Sequence, residues 1–159
     1  NDITGLANDE VCKLCASYDA TAVIMHMQGT PQTMQENPTY SSVLNDVYDF
    51  LSERSIKAQE FGVKDIILDV GIGFGKTLRD NLSLIKHLEH FLTLEKPLLV
   101  GASRKSMIDK ISSSDVNDRL GGTLALHIEA ANNGVSMLRV HDVYEHKQAL
   151  LIREALLEV

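Results

Sequence analysis

Tryptophan is absent from the 159-residue chain and aromatic residues make up only 5% of it, so any core must be built from aliphatic side chains. Positive charge is in deficit. Lysine and arginine number 15 against 22 aspartates and glutamates, and the net charge of −7 excludes the basic face that a nucleic acid or an anionic membrane would need. No apolar run approaches the roughly 18 residues of a spanning helix, and no charged-then-apolar leader opens the chain. A cytoplasmic protein with neither nucleic-acid nor membrane partners is therefore expected. Cysteine occurs twice, in Cys12-Lys13-Leu14-Cys15, with no strand before it and no second ligand pair elsewhere. That spacing without its context excludes a redox or zinc motif and leaves buried or half-buried thiols in an amphipathic helix. His87, His90, His127 and His146 fall in helical stretches without partner ligands, and no metal-site spacing is present.

What the chain does have is Ile66-Ile67-Leu68-Asp69-Val70-Gly71-Ile72-Gly73-Phe74-Gly75-Lys76-Thr77. An apolar strand delivers a carboxylate to its tip and opens into a glycine loop. It is not a phosphate-binding P-loop, because Val70 stands where the first glycine must be, and it is not a dinucleotide fingerprint, because Lys76 replaces the third glycine. What remains is a strand-end acid beside a backbone that a flat ligand can approach closely.

Taken in order, the chain alternates strands and helices. Asn8 or Asp9 caps a helix to about Ser17, with Val11, Cys12, Leu14 and Cys15 on one face, and Thr21 to Met25 is a strand closed by His26. A polar loop to Pro38 leads to a long helix, Tyr40 to Phe61, that presents Val43, Val47, Phe50, Leu51 and Ile56 at helical spacing. After the Asp69 strand, a helix is expected from Asp80 or Asn81 to Phe91 and a strand from Leu98 to Gly101. A helix from Leu120 to Asn133, a strand from Ser136 to Val140 and a final helix from Tyr144 to Leu157 complete the pattern. Such alternation is that of parallel βα units, whose ligand sites lie at the carboxyl ends of the strands. At 44% apolar, residues 1–159 suffice for one domain with a real core.

The strand tips carry Asn1, His26, Asp69, Ser103 with Lys105, and Arg139 with His141. Asp69, Asn1 and Lys105 offer an acceptor, an amide and a donor, a set that suits the edge of a pterin or purine, with Met25 and Phe74 as flanking apolar surfaces. Arg139 and His141 lie two apart on one strand and so face the same way, as an anion or phosphate site would require.

Four segments, Met25-His26-Met27-Gln28-Gly29-Thr30-Pro31, Asp69 to Lys76, Gly101-Ala102-Ser103-Arg104-Lys105 and Arg139-Val140-His141-Asp142-Val143, resemble in order and spacing the motifs of bacterial dihydropteroate synthases, and Arg119-Leu120-Gly121-Gly122-Thr123 fits as well. Val70 departs from that pattern, which has proline there. The resemblance implies an α/β fold, the C-terminal portion of a pterin-binding (β/α)₈ TIM barrel, entered at the end of its fourth strand. It implies a transferase of folate biosynthesis that joins p-aminobenzoate to 6-hydroxymethyl-7,8-dihydropterin pyrophosphate, releases pyrophosphate, and is the target of sulfonamides. Carried over residue by residue, catalysis falls to Asp69, Lys105 and Arg139. Asn1, Asp69 and Lys105 bind the pterin edge with Met25 and Phe74 lining its ring, Gly73 joins the substrate-binding set, Ser103 and Lys105 border p-aminobenzoate, and Arg139 and His141 hold the pyrophosphate. Mg²⁺ is implied, with its protein ligand outside this chain, and a homodimer is expected. The family's first-strand asparagine, second-strand loop and third-strand aspartate have no counterpart here, so this chain alone is expected to be unstable, to self-associate or to pair with the missing segment supplied in another form, and to lack synthase activity. A pterin-dependent methyltransferase domain and a non-catalytic pterin-binding fragment are the competing readings.

Overall fold

The computed structural model describes residues 1–159. Its elements are helix α1 (Asp9–Ser17), strand β1 (Ala22–Met25), α2 (Val43–Glu60), β2 (Ile66–Asp69), α3 (Leu78–Lys86), a 3₁₀ segment (Leu88–Leu94), β3 (Leu98–Val100), α4 (Ser106–Ile111), a 3₁₀ turn (Val116–Asp118), α5 (Leu120–Asn132), β4 (Met137–Leu138) and α6 (Val143–Leu157). The four strands form one sheet in the order β1-β2-β3-β4, all parallel, with Met25 opposite Asp69, Asp69 opposite Leu99, and Val100 opposite Leu138. Sequential order with no reversal is the winding of a barrel wall, since a doubly wound sheet changes direction at a switch point. The four tips therefore lie side by side along one rim, and Asp2 bridges to Ile24, which brings Asn1 to the same rim.

The core is aliphatic apart from Phe91. A cluster of 23 buried residues runs through Ile24, Leu68 and Leu98 of the sheet and through Val47, Leu51, Leu84 and Phe91 of the outer layer. On α2 the buried stripe is Val43, Val47, Leu51, Ser55 and Ala58, while Phe50 is half-buried and Ile56 is 56% exposed. Ile56 lies nine residues beyond Val47, about 180° around the helix, so it faces outward while the small Ser55 and Ala58 let the helix sit close to the sheet. Leu14 of α1 is likewise exposed, about 200° from Cys12, which is itself fully buried. Both thiols are free, Cys12 buried and Cys15 half-buried, and burial pushes the Cys12 thiol up.

Several boundaries differ from the sequence expectation, among them the start of α2, which is Val43 rather than Tyr40 because Ser42 is its cap. Helix α3 starts at Leu78 because Thr77 is the cap and Asp80 its reciprocal partner: Asp80 Oδ2 accepts from the Thr77 N–H at 2.9 Å, and the Thr77 hydroxyl accepts from the Asp80 N–H at 3.2 Å. The acid that reads as a first residue is the fourth member of a capping box. The same helix ends at Lys86 and tightens into the 3₁₀ segment, which a left-handed Glu95 closes. Strand β4 is shorter than Ser136 to Val140 because it has one neighbour only; Ser136 and Arg139 still donate to Leu98 O and Val100 O at 3.0 and 2.9 Å. Helix α4 was not expected.

Candidate functional site

Asp69 ends β2 with no exposed surface. Its carboxylate accepts from the Gly71 N–H (Oδ1, 2.8 Å) and from Arg139 Nη2 (Oδ2, 2.9 Å). Burial pushes the acid's pKa up, and these two donors pull against it. Gly71 has φ +71°, and a Cβ there would lie 1.9 Å from the carbonyl oxygen of His26, so this position admits glycine alone.

The glycine loop is locked rather than open. Lys76, buried, sends Nζ to His26 Nδ1 (2.9 Å), Gly71 O (3.0 Å) and Phe74 O (2.9 Å), which uses all three N–H bonds of an ammonium. Asn81 Oδ1 accepts from the Gly73 N–H at 2.7 Å, Gln35 Nε2 donates to Gly73 O at 2.9 Å, and the Tyr40 hydroxyl donates to Gly75 O. Burial lowers the Lys76 pKa to about 7, although Asp69 raises it, and lowers that of His26 to about 3, with Lys76 adding to the effect. In the sequence, Lys76 figures only as the residue that breaks a fingerprint. The available signal was a lysine closing a short glycine loop between a buried strand and a helix cap, where its ammonium can reach the loop's own carbonyls.

The β3 tip turns through Arg104, whose φ of +56° is unusual for a side-chain-bearing residue. Two α5 side chains one turn apart secure it, the Thr123 hydroxyl accepting from the Arg104 N–H and His127 Nε2 from the Ala102 N–H, both at 3.0 Å. The turn sends Arg104 outward to Asp142, at 2.6 and 3.2 Å, and Lys105 inward, its Nζ 4.1 Å from the centre of the Phe74 ring. Burial lowers the Lys105 pKa, and Arg139 lowers it further. Beyond β4, His141 Nδ1 meets the Ser103 hydroxyl at 2.8 Å, and the His141 N–H donates to the same oxygen at 3.2 Å.

These tips surround a cavity of about 320 Å³ lined by Asn1, Phe74, Ser103, Lys105, Arg139 and His141, among others. Asp69 lies below it behind Arg139. Six of the residues expected at the site thus share one cavity, and Asp69, Met25, Gly73 and His26 stand apart from its wall. Met25 is fully buried beside Asp69 in the β1–β2 register, and its side chain presents no open surface. Gly73 packs on the Lys105 stem, where a Cβ would come within 3.1 Å. His26 faces Lys76 and the Phe50 ring, the latter edge-on at 4.9 Å. The shared orientation of Arg139 and His141 does not come from strand alternation, since β4 ends at Leu138; it comes from their contacts with Asp69 and Ser103. His127 and His146, expected without partner metal ligands, instead pair with each other, His127 Nδ1 and His146 Nε2 being 2.8 Å apart. No group of three or more His, Cys, Asp or Glu side chains is placed to hold a metal ion.

Residues 1–141 match the model of the pterin-binding enzyme family. The chain is 45% identical over 158 residues to the bifunctional dihydropteroate synthase/dihydropteroate reductase of Helicobacter pylori, covering 99% of this chain and 42% of that protein. It superposes with a TM-score of 0.95 on the dihydropteroate synthase of Thermus thermophilus in complex with 6HMPPP, at 41% identity over 98% of this chain and 63% of that one. The same score and identity hold for that enzyme in complex with 4-aminobenzoate, covering 98% and 64%. The chain spans about half the length of the curated relatives it matches, between 42% and 57%. Its sheet and helices correspond to part of the (β/α)₈ barrel of those enzymes. The motif order, the cation-rimmed cavity over a buried acid and the family match agree: the chain belongs to the pterin-binding enzymes.

Proposed function

We propose that this chain carries the pterin and pyrophosphate subsites of a dihydropteroate synthase, which condenses p-aminobenzoate with 6-hydroxymethyl-7,8-dihydropterin pyrophosphate to give 7,8-dihydropteroate and pyrophosphate. One observation carries the reading. A fully buried carboxylate, Asp69, is held at 2.9 Å by Arg139, a guanidinium that also lines the cavity together with Lys105 and His141. An acid in that position suits the guanidine-like edge of a pterin, to which it can offer two charge-assisted hydrogen bonds. The cations beside it suit the leaving group of the same substrate. Relatives whose solved complexes carry 6HMPPP and 4-aminobenzoate support both halves of the assignment.

In the mechanism, Asp69, Asn1 and Lys105 bind the pterin edge, with Phe74, Gly73 and the buried Met25 shaping the ring's surroundings. The methylene carbon–oxygen bond of the substrate breaks, its electron pair leaves with pyrophosphate, and the amine nitrogen of p-aminobenzoate forms the new carbon–nitrogen bond and sheds a proton. Arg139 and His141 stabilise the charge that develops on the leaving oxygens, while Asp69 stabilises positive charge on the ring. Because Arg139 occupies Asp69 Oδ2, its movement onto the pyrophosphate frees that oxygen for the pterin edge, so the two ends of one substrate assist each other. Ser103 and Lys105 border the p-aminobenzoate side. The donors around the cavity do not fit Mg²⁺ by themselves: two cations, an amide, a hydroxyl and an imidazole suit an anion.

The reading extends to a homodimer. Its support is the apolar cleft between α5 and α6, lined by Leu120, Leu124, Ile128, Ile152, Leu156 and Leu157; sedimentation of the intact protein as a monomer at micromolar concentration would remove it. The function is tested by turnover in the intact protein and by calorimetry with a pterin. Asp69→Asn should weaken pterin binding by well over about tenfold, since it removes a charged bidentate contact. Unchanged affinity would overturn the assignment of Asp69.

A further inference from the structure

Behind the cavity, on the side away from any ligand, two buried histidines join the two rim turns. His127 on α5 and His146 on α6 are 1% and 4% exposed. The ends of their hydrogen-bond chain are set by backbone groups that cannot change roles. Ala102 N–H can only donate, and it donates to His127 Nε2 at 3.0 Å. Asp142 O can only accept, and His146 Nδ1 lies 2.6 Å from it. A lone pair on His127 Nε2 puts that ring's proton on Nδ1, which donates across 2.8 Å to His146 Nε2. His146 in turn carries its proton on Nδ1 and donates it to Asp142 O. One arrangement of two protons satisfies every atom of the chain.

The two backbone ends are what make this pair relevant to the site. Ala102 precedes Ser103, and Asp142 follows His141; Ser103 and His141 touch each other at 2.8 Å on the cavity wall. The relay holds the turns from behind, and the Arg104–Asp142 ion pair holds them at the side. We propose that His127 and His146 are positioning residues for the anion subsite, locking the Ser103 and His141 turns together through a neutral relay in which both rings carry the proton on Nδ1. With the turns so held, Ser103 accepts the His141 N–H and donates its own hydrogen to His141 Nδ1. His141 Nε2 then bears the proton and donates into the cavity. An added proton on either ring breaks the relay. On His127 Nε2 it opposes the Ala102 N–H, and on His146 Nε2 it opposes the His127 N–H. Burial agrees with a neutral His127, lowering its pKa to about 4, with His146 contributing. The inference rests on the reading of Ser103 and His141 as bordering the pyrophosphate.

The first test is nitrogen-detected NMR on the intact protein at neutral pH. Both rings are expected as the Nδ1–H tautomer; a Nε2–H tautomer or an imidazolium at either position overturns the relay. The second is calorimetry with inorganic pyrophosphate and, separately, with a pterin lacking it. His127→Leu leaves the Ala102 N–H unpaired and should weaken pyrophosphate binding by about tenfold or more while pterin binding changes less than about twofold. His127→Gln, whose Oε1 can take the place of Nε2, should recover most of that loss. Equal loss of both affinities, or no rescue by glutamine, shows a merely structural pair and overturns the positioning role. Should His127→Leu fail to fold, the tautomers and the glutamine variant decide. A wild-type protein that binds no pyrophosphate overturns the proposed function instead, and the tautomer result stands on its own.

Discussion

The two sides of this sheet are held by different forces. On the β1–β3 side the strands are buried along their length except at the half-buried Val23, and the inward faces of α2 and α3 contribute Val47, Leu51 and Leu84 with no exposed surface. On the β4–α6 side, Met137 is 42% exposed, His146 is the one buried residue of α6, and Ile152, Leu156 and Leu157 are 61–70% exposed. That helix is attached by polar contacts: Asp142 to Arg104, His146 to His127, and Arg153 to Asn132 Oδ1 at 2.7 Å and Ala131 O at 3.0 Å. The cavity lies where the two meet. Apolar packing fixes Asp69 in depth, while directional bonds, which have one good geometry each, fix the angles of Ser103, Arg139 and His141.

The sharpest way to break this contrast is to truncate one leucine on each side. Leu68→Ala removes a fully buried side chain from the middle of β2 and should cost about 2–5 kcal/mol, because the sheet cannot collapse onto the cavity left behind. Leu156→Ala, at 70% exposure, should change the stability of this chain by less than about 0.5 kcal/mol. Urea titration of the two variants reads the difference directly, and comparable losses would mean that α6 is packed as tightly as the sheet.

Gly71→Ala comes next, with an expected cost of well over about 1 kcal/mol. The new Cβ would meet His26 O at 1.9 Å in a left-handed backbone, so the loop must move and take Lys76 with it. Pterin affinity should fall together with stability, since the Gly71 N–H is also a ligand of Asp69. A variant of wild-type stability that binds pterin normally would show the loop to be far softer than its hydrogen bonds suggest.

Acid should affect both sides through their buried imidazoles. His26 and His127 protonate in the fold only near 3 and 4, whereas the unfolded chain takes up those protons near 6.5. The contribution of these two rings to stability is thus complete above about pH 6.5 and is lost as the pH falls from there toward 4 for His127 and 3 for His26, by up to about 1.4 kcal/mol per pH unit for each ring. His127→Gln should remove its share of the slope between pH 6.5 and 4 and leave that of His26. Denaturation midpoints collected across this range check it; an unaltered slope would mean that His127 is charged in the fold.

How much of this could be read beforehand follows the same division. The strands, the long helix and the Asp69 tip were legible because apolar periodicity and strand-end polarity are local signals, and the cavity residues were legible because parallel units bring their tips to one rim. Ile56 and Leu14 were misplaced because hydrophobicity outweighed angular position: Ser55 and Ala58 take the inward slots instead. The start of α3 was misjudged because Asp80 is a good cap, and only the Thr77 side chain three residues earlier shows it to be the partner. Lys76 and the His127–His146 pair were missed for a different reason. Their roles exist only between elements distant in sequence, 19 residues for the two histidines and 50 for Lys76 and His26, and no pattern in one stretch encodes such a contact.

The smallest expected effect separates packing from backbone on the less apolar side. Gly121 and Gly122 are consecutive near the start of α5, yet a Cβ on Gly121 would meet nothing within 4 Å, while one on Gly122 would come within 2.5 Å of Ile108 Cγ2 on α4. Neither has the positive φ that would demand glycine. Gly121→Ala should therefore stabilise the chain, since alanine loses less conformational freedom on entering a helix; near the helix end the gain should be about 0.5 kcal/mol. Gly122→Ala should destabilise, because Ile108 must be pushed out of a packed position. Urea midpoints moving in opposite directions at unchanged slope would show that the α4–α5 contact, which backs the Ser103 turn, is packed to its limit beside a helix start that is not. A loss of stability for both variants would mean that the first turn of α5 is constrained by its backbone rather than by Ile108.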